Sequence, residues 1–179
     1  ADYAEAARRW GRIPAIRTAG QGYRDASMYW IGRTHEQRGD AEGALELYEQ
    51  LGHAVGIARI ADFRARLHTS RGEYAAAEPL YRRALELRRA AGDRAGVANA
   101  EIELGALYQA QHDFDRALAQ YQRGVMLLDE LGERRSLSYA LLRLANVHNA
   151  RGEFGAALDA ARAMAAVMNV ASAPEPPNE

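Results

Sequence analysis

Residues 104–121 read Leu104-Gly105-Ala106-Leu107-Tyr108-Gln109-Ala110-Gln111-His112-Asp113-Phe114-Asp115-Arg116-Ala117-Leu118-Ala119-Gln120-Tyr121, and their spacing decides the fold. Leu104, Leu107 and Tyr108 lie at helical period, and a polar Gln111-His112-Asp113 stretch interrupts them before a second apolar run begins. Gly105 stands seven residues before His112 and Ala117 five after it. One small residue on each side of a turn is what two antiparallel helices need where their backbones come closest, and Tyr121 fills the wider end.

The same arrangement recurs along the chain, which is the mark of a repeat architecture. Arg38-Gly39-Asp40, Arg71-Gly72-Glu73 and Arg151-Gly152-Glu153 take the place of Gln111-His112-Asp113, at separations of 33, 40 and 40. The small residue before the turn is Gly32, Ala65, Gly105 or Ala145, and the one after it is Ala44, Ala77, Ala117 or Ala157. Tyr48, Tyr81 and Tyr121 follow, with Ala161 in the last copy. A second set of glycines, Gly20, Gly52, Gly92 and Gly132, marks the joints between copies, where glycine serves as a helix C-cap. The spacing predicts first helices over 23–37, 54–70, 95–110 and 135–150. Second helices are predicted over 41–51, 74–90, 114–131 and 154–168.

The fold class expected is therefore all-α, an α-solenoid of helix-turn-helix repeats with units at 23–52, 53–92, 93–132 and 133–170. Upstream, Asp2-Tyr3, Ala6 and Trp10 repeat the spacing of Asp113-Phe114, Ala117 and Tyr121. Segment 1–22 is thus expected to be the second helix of a truncated repeat plus an irregular connection broken at Pro14 and Gly20-Gln21-Gly22. The Pro-rich, acidic stretch 171–179 reads as a disordered tail.

Composition narrows the function. Twenty-three basic residues against 24 acidic ones leave a net charge of -1, so neither nucleic acid nor an anionic membrane is an expected partner. All the basic residues are Arg, which removes lysine chemistry, and the absence of Cys removes thiolates and Cys-ligated zinc. No apolar run spans a bilayer, so a soluble, cytoplasmic protein is expected. Neither a nucleophile with its base nor a cofactor fingerprint is present, and the expectation is a protein that is not an enzyme, with no cofactor and no metal.

The pattern Leu104-Gly105-Ala106-Leu107-Tyr108, Asp113-Phe114-Asp115-Arg116-Ala117 and Tyr121 resembles the tetratricopeptide repeat, and the likeness extends over residues 2 to about 168. The long second helices resemble the forty-residue variety of bacterial signalling and regulatory proteins. The resemblance implies a right-handed superhelix whose first helices line a concave groove where partner peptides bind. Arg64 stands where the family has leucine. The family's peptide-gripping asparagine is replaced by Trp30, Phe63, Glu103 and Arg143.

On that geometry the groove should be lined by Tyr29, Arg33 and Glu36, then Arg59, Asp62 and Arg66, then Asn99, Ile102 and Gln109. In the last copy it should be lined by Tyr139, Leu142, Asn146 and Asn149, with Arg143 close by. Arginine forks and asparagine amides hold carboxylates and peptide backbone, so a protein or peptide partner is expected. The bland reading is a solvated face on which Arg33, Arg59 and Arg66 pair with Glu36 and Asp62. Trp30 and Phe63 are expected in the core, as large aromatics usually are; facing the groove, they would be its hot spots. His35, His68 and His148 share the register of Tyr108, which points to packing and not to metal binding.

Recruitment of a protein segment is the first functional expectation, and a ligand-sensing regulatory domain of a larger signalling protein is the alternative. Self-association is the third. The closing helix presents Phe154, Leu158, Met164, Val167 and Met168 with no capping helix after it, so a homo-oligomer through a solenoid end is expected.

Overall fold

A computed structural model describes residues 21–171, with side chains for 27–168. Every element among the described residues is a helix: α1 Gln21–Gln37, α2 Ala41–Gln50, α3 Ala54–Ser70, α4 Tyr74–Ala90, α5 Arg94–Ala110, α6 Phe114–Glu130, α7 Arg134–Ala150 and α8 Phe154–Ala171. Each helix packs most extensively on its neighbours in sequence, and the pairs α3–α4, α5–α6 and α7–α8 are the tightest. No single centre gathers them, so the chain is an α-solenoid of helical hairpins. The helix expected over residues 2–12 and the tail expected over 171–179 lie outside the described residues, Ala171 apart. Gln21 and Gly22 open α1, where a connection was expected.

One turn serves all seven joints. At the first, the Gly39 amide donates to the Glu36 carbonyl and the Asp40 amide to the His35 carbonyl, and the same two bonds recur around Gly52, Gly72, Gly92, His112, Gly132 and Gly152. This is the Schellman closure, in which a left-handed residue lets two amides satisfy carbonyls left over at the helix end. At four of the joints the residue that completes it also caps the next helix with its side chain, whereas Glu73 and Glu133 make no such bond. The side chains of Asp40, His53, Asp93 and Asp113 each accept from an amide three residues on. Among the described residues, the two glycine sets that the sequence separates by repeat position are therefore one structural device, while Gly20 lies outside them.

The left-handed position is glycine at six joints and His112, with φ 60°, at the seventh. A Cβ in that region is strained. His112→Gly is expected to raise the unfolding free energy by about 0.5–1 kcal/mol, a gain that urea denaturation would read directly. An unchanged or lower midpoint would mean that the edge contact of His112 with Phe114, centroids 5.9 Å apart, outweighs the strain.

Between the turns the hairpins close on the small residues. Ala44, Ala65, Ala77 and Ala117 are fully buried, and Tyr48, Tyr81 and Tyr121 beside them are at most 2% exposed. A Cβ added to Gly105 would lie 2.7 Å from the Tyr121 ring, and one added to Gly32 would lie 2.9 Å from Tyr48. The rings occupy the volume the glycines leave. Tyr48 is held from its other side by Gly56, whose added Cβ would meet the ring at 2.6 Å, so this ring also joins α2 to the next hairpin.

The three histidines serve the turns. Their Nδ1 atoms lie 2.6 Å from a carboxylate five residues on, in His35–Asp40, His68–Glu73 and His148–Glu153. Each ties the end of a first helix to the start of the second. Tyr108 departs from this pattern: its hydroxyl donates to Glu78 of the preceding hairpin at 2.8 Å.

Candidate binding face of the first helices

The first helices α1, α3, α5 and α7 share a face, and charged side chains stitch it together. Arg33 donates to Glu36 at 3.0 Å, Arg59 reaches the same carboxylate from α3, and Arg66 lies 3.7 Å from Glu103 of α5. On α7, Arg143 donates to the Tyr139 hydroxyl at 2.9 Å and stacks over that ring. Burial holds the carboxyls of Glu36 and Glu103 above their usual range, against the opposing pull of Arg33 on the first and Arg66 on the second.

Two expected groove residues turn inward. Ile102 is 6% exposed and packs in the core, because Gly124 on α6 leaves the space its side chain fills; a Cβ there would lie 2.4 Å from Ile102 Cδ1. Asp62, in the same register one repeat earlier, is 6% exposed and bound to Arg88 of α4 at 2.5 Å. Leu142, one repeat later, has the same register but is exposed. Tyr29 is half-buried, packed against His53 and Tyr48 with centroids 5.0 and 6.2 Å away, and Gln109 is occupied as the acceptor for the Tyr121 hydroxyl at 2.8 Å. Asn99, Tyr139, Asn146 and Asn149 are exposed, Arg33, Arg59 and Arg143 half-exposed.

The register one residue further round is the open one. Trp30 is 67% and Phe63 46% exposed, which overturns the expectation that both are core: one residue is about 100° of helix rotation, enough to carry a side chain from the hairpin interior to the shared face. Glu103 and Arg143 occupy the same register in α5 and α7. Between α1 and α3 the face dips into a cavity of about 300 Å³ lined by Glu36, Arg59, Asp62, Phe63, Arg66 and Arg88. Arg88, from a second helix, is the member that a reading confined to first helices misses. Its signal was in the repeat itself, since Asp62 and Arg88 stand forty residues before Ile102 and Leu128, and an apolar pair in one copy is a charged pair in the other.

At the closing end, Phe154, Leu158 and Met168 are 69%, 51% and 56% exposed. Met164 and Val167 are different: both pack against the core, since they lie on the inward stripe of α8. No helix among the described residues is long and apolar enough to cross a membrane.

Residues 56–130 match the tetratricopeptide repeat family profile. The chain is similar in structure to BtubC (BKLC) from P. vanneervenii, with 23% identity and a TM-score of 0.70 over 99% of this chain and 74% of that one. It is also similar to aspartyl phosphate phosphatase F from Bacillus subtilis, at 12% identity and a TM-score of 0.67. It covers 83% of this chain but only 41% of the phosphatase, so this chain spans less than half of that protein. A putative kinesin light chain of Podosopora anserina with nearly identical TPR-like repeats aligns over 96% of this chain and 89% of its own, at 19% identity and a TM-score of 0.56. A sequence search of curated proteins returns no match. Residues 56–130 thus match the tetratricopeptide repeat by sequence, and the helical hairpins on either side of them continue the same fold.

Proposed function

We propose that the chain is a non-enzymatic interaction module that holds a segment of another protein against the shared face of α1, α3, α5 and α7. What carries the reading is the exposure of Trp30, Phe63, Tyr139 and Leu142 on these helices, among arginines whose hydrogen-bonding capacity is only partly used. Large apolar side chains left in water beside hydrogen-bonding forks are the composition of an interface centre.

The test uses peptides selected from a random display library against the whole chain. Selected peptides are expected to lose about tenfold or more in affinity on Phe63→Ala combined with Tyr139→Ala. They should be indifferent to Met126→Ala on α6, where a more exposed apolar side chain (65%) sits outside the face. Peptides that bind the double variant as well as the parent would refute the reading.

A second reading, self-association, has its own observation in the exposed Phe154, Leu158 and Met168. Phe154→Ser with Leu158→Ser is expected to convert a dimer or higher oligomer to monomer in sedimentation velocity. A parent chain that sediments as a monomer at high concentration would dismiss this reading.

A further inference from the structure

Resting on the self-association reading above, we infer that the outer stripe of α8 is the seam of a two-fold dimer. The α8 helices of two copies of this chain lie antiparallel in it, with large residues of each stripe facing alanines of the other.

Phe154, Leu158, Ala161, Ala165 and Met168 follow one another at spacings of four, three, four and three. That is the heptad period along which two helices pack side by side. In α6 the same register reads Phe114, Leu118, Tyr121, Val125 and Leu128. Tyr121 and Leu128 are buried there and the other three pack against the core, with α7 lying against the helix. The architecture therefore covers this stripe wherever a helix follows it. In α8 it is bare: Phe154, Leu158 and Met168 are exposed and so is Ala165, while Met164 and Val167 are the side chains that α8 turns to the core.

The composition of the stripe selects the occupant. At its centre α6 meets a first helix with Tyr121 and Val125, whereas α8 has Ala161 and Ala165 in their places. Two antiparallel copies of α8, related by an axis between Leu158 and Ala161, set Phe154 opposite the partner's Ala165 and Leu158 opposite the partner's Ala161. The symmetry repeats both layers. Large against small in every layer is how facing helices interdigitate, and alanines let the two axes approach to about 8 Å. A parallel pair stacks phenylalanine on phenylalanine at one end and leaves alanine on alanine in the middle. Asp159 and Arg162, the charged residues of α8, lie beside the stripe 3.6 Å from each other, so closing the seam buries no unpaired charge. The contact uses the same patch on both copies and closes at two. Four layers make a small interface, and the dimer is expected to come apart on dilution.

Sedimentation velocity over a dilution series is expected to show the parent chain passing from dimer to monomer, with no larger species. Ala165→Glu, at an exposed position, puts a carboxylate against the partner's Phe154 and is expected to raise the dissociation constant about tenfold or more. The chain has no cysteine, so single cysteines report the register. A mixture of Phe154→Cys and Ala165→Cys chains, one of them carrying a mass tag, should oxidise to the mixed disulfide dimer. Each variant alone should stay uncrosslinked. Like positions stand eleven residues apart along the antiparallel seam, about 16 Å, where a disulfide reaches only about 7 Å between Cα atoms. A parent chain that is monomeric at high concentration overturns the seam and the self-association reading together. An oligomer that ignores Ala165→Glu, or that crosslinks Phe154→Cys chains to one another, overturns the seam and leaves self-association standing. A peptide copying Arg134–Ala150 of α7 that binds a monomeric parent, and fails to bind Ala165→Glu, shows that the stripe takes a first helix and rejects the dimer.

Discussion

Replacing Tyr121 by alanine is expected to lower the unfolding free energy by about 3–5 kcal/mol, the range for deleting a large buried aromatic side chain. The ring is fully buried and is the element that makes Gly105 necessary. Its removal opens a cavity between α5 and α6 and strands the Gln109 amide oxygen, which accepts the Tyr121 hydroxyl at 2.8 Å. Stability in a solenoid is shared between neighbours, so the loss should appear as a broadened or split urea transition as well as an earlier one.

Two glycine variants check the cause. Gly105→Ala places a Cβ 2.7 Å from the ring; overpacking of that kind costs about 1–3 kcal/mol and outweighs the helix propensity gained, about 1 kcal/mol. Gly155→Ala on α8 meets nothing within 4 Å and is expected to gain about 0.5–1 kcal/mol. Effects of the same sign at the two positions would show that ring against glycine is not what holds the hairpin together.

The hairpin ends were legible in the sequence because turn chemistry is local: a left-handed residue followed by a capping side chain is written in three consecutive letters. The small-residue positions were legible because they recur. The inner face is less legible, and for one physical reason. The repeat gives equivalent positions a common direction and so groups Ile102 with Leu142, although a glycine twenty-two residues later, Gly124, makes room for Ile102 inside. Size alone sends Trp30 and Phe63 to the core, whereas a single step of register puts them outside. The repeat pattern of one helix does not contain its partner, and a side chain's burial depends on the residue facing it, which lies on another element.

The Asp62–Arg88 pair is the largest such surprise, and Arg88→Ala is expected to destabilise the chain by about 3–5 kcal/mol at neutral pH, the range for removing one member of a buried ion pair. Both side chains are 9% exposed, so the stranded carboxylate loses its 2.5 Å partner where water replaces it poorly, with only the longer-range attraction of Arg66 left. In the parent chain burial already holds the Asp62 carboxyl above its usual range, with Arg88 pulling it back down. A carboxyl with a raised folded-state pKa contributes stability that is fully present below its unfolded pKa and is lost as pH rises through the folded value. Without Arg88 that loss extends over a wider range, so the deficit of Arg88→Ala should be smallest near pH 4 and largest near pH 7. Asp62→Ile combined with Arg88→Leu copies the Ile102 and Leu128 of the next repeat and is expected to restore or exceed parental stability at both pH values. A double variant less stable than Arg88→Ala alone would show that the pair is required by the packing of α3 on α4.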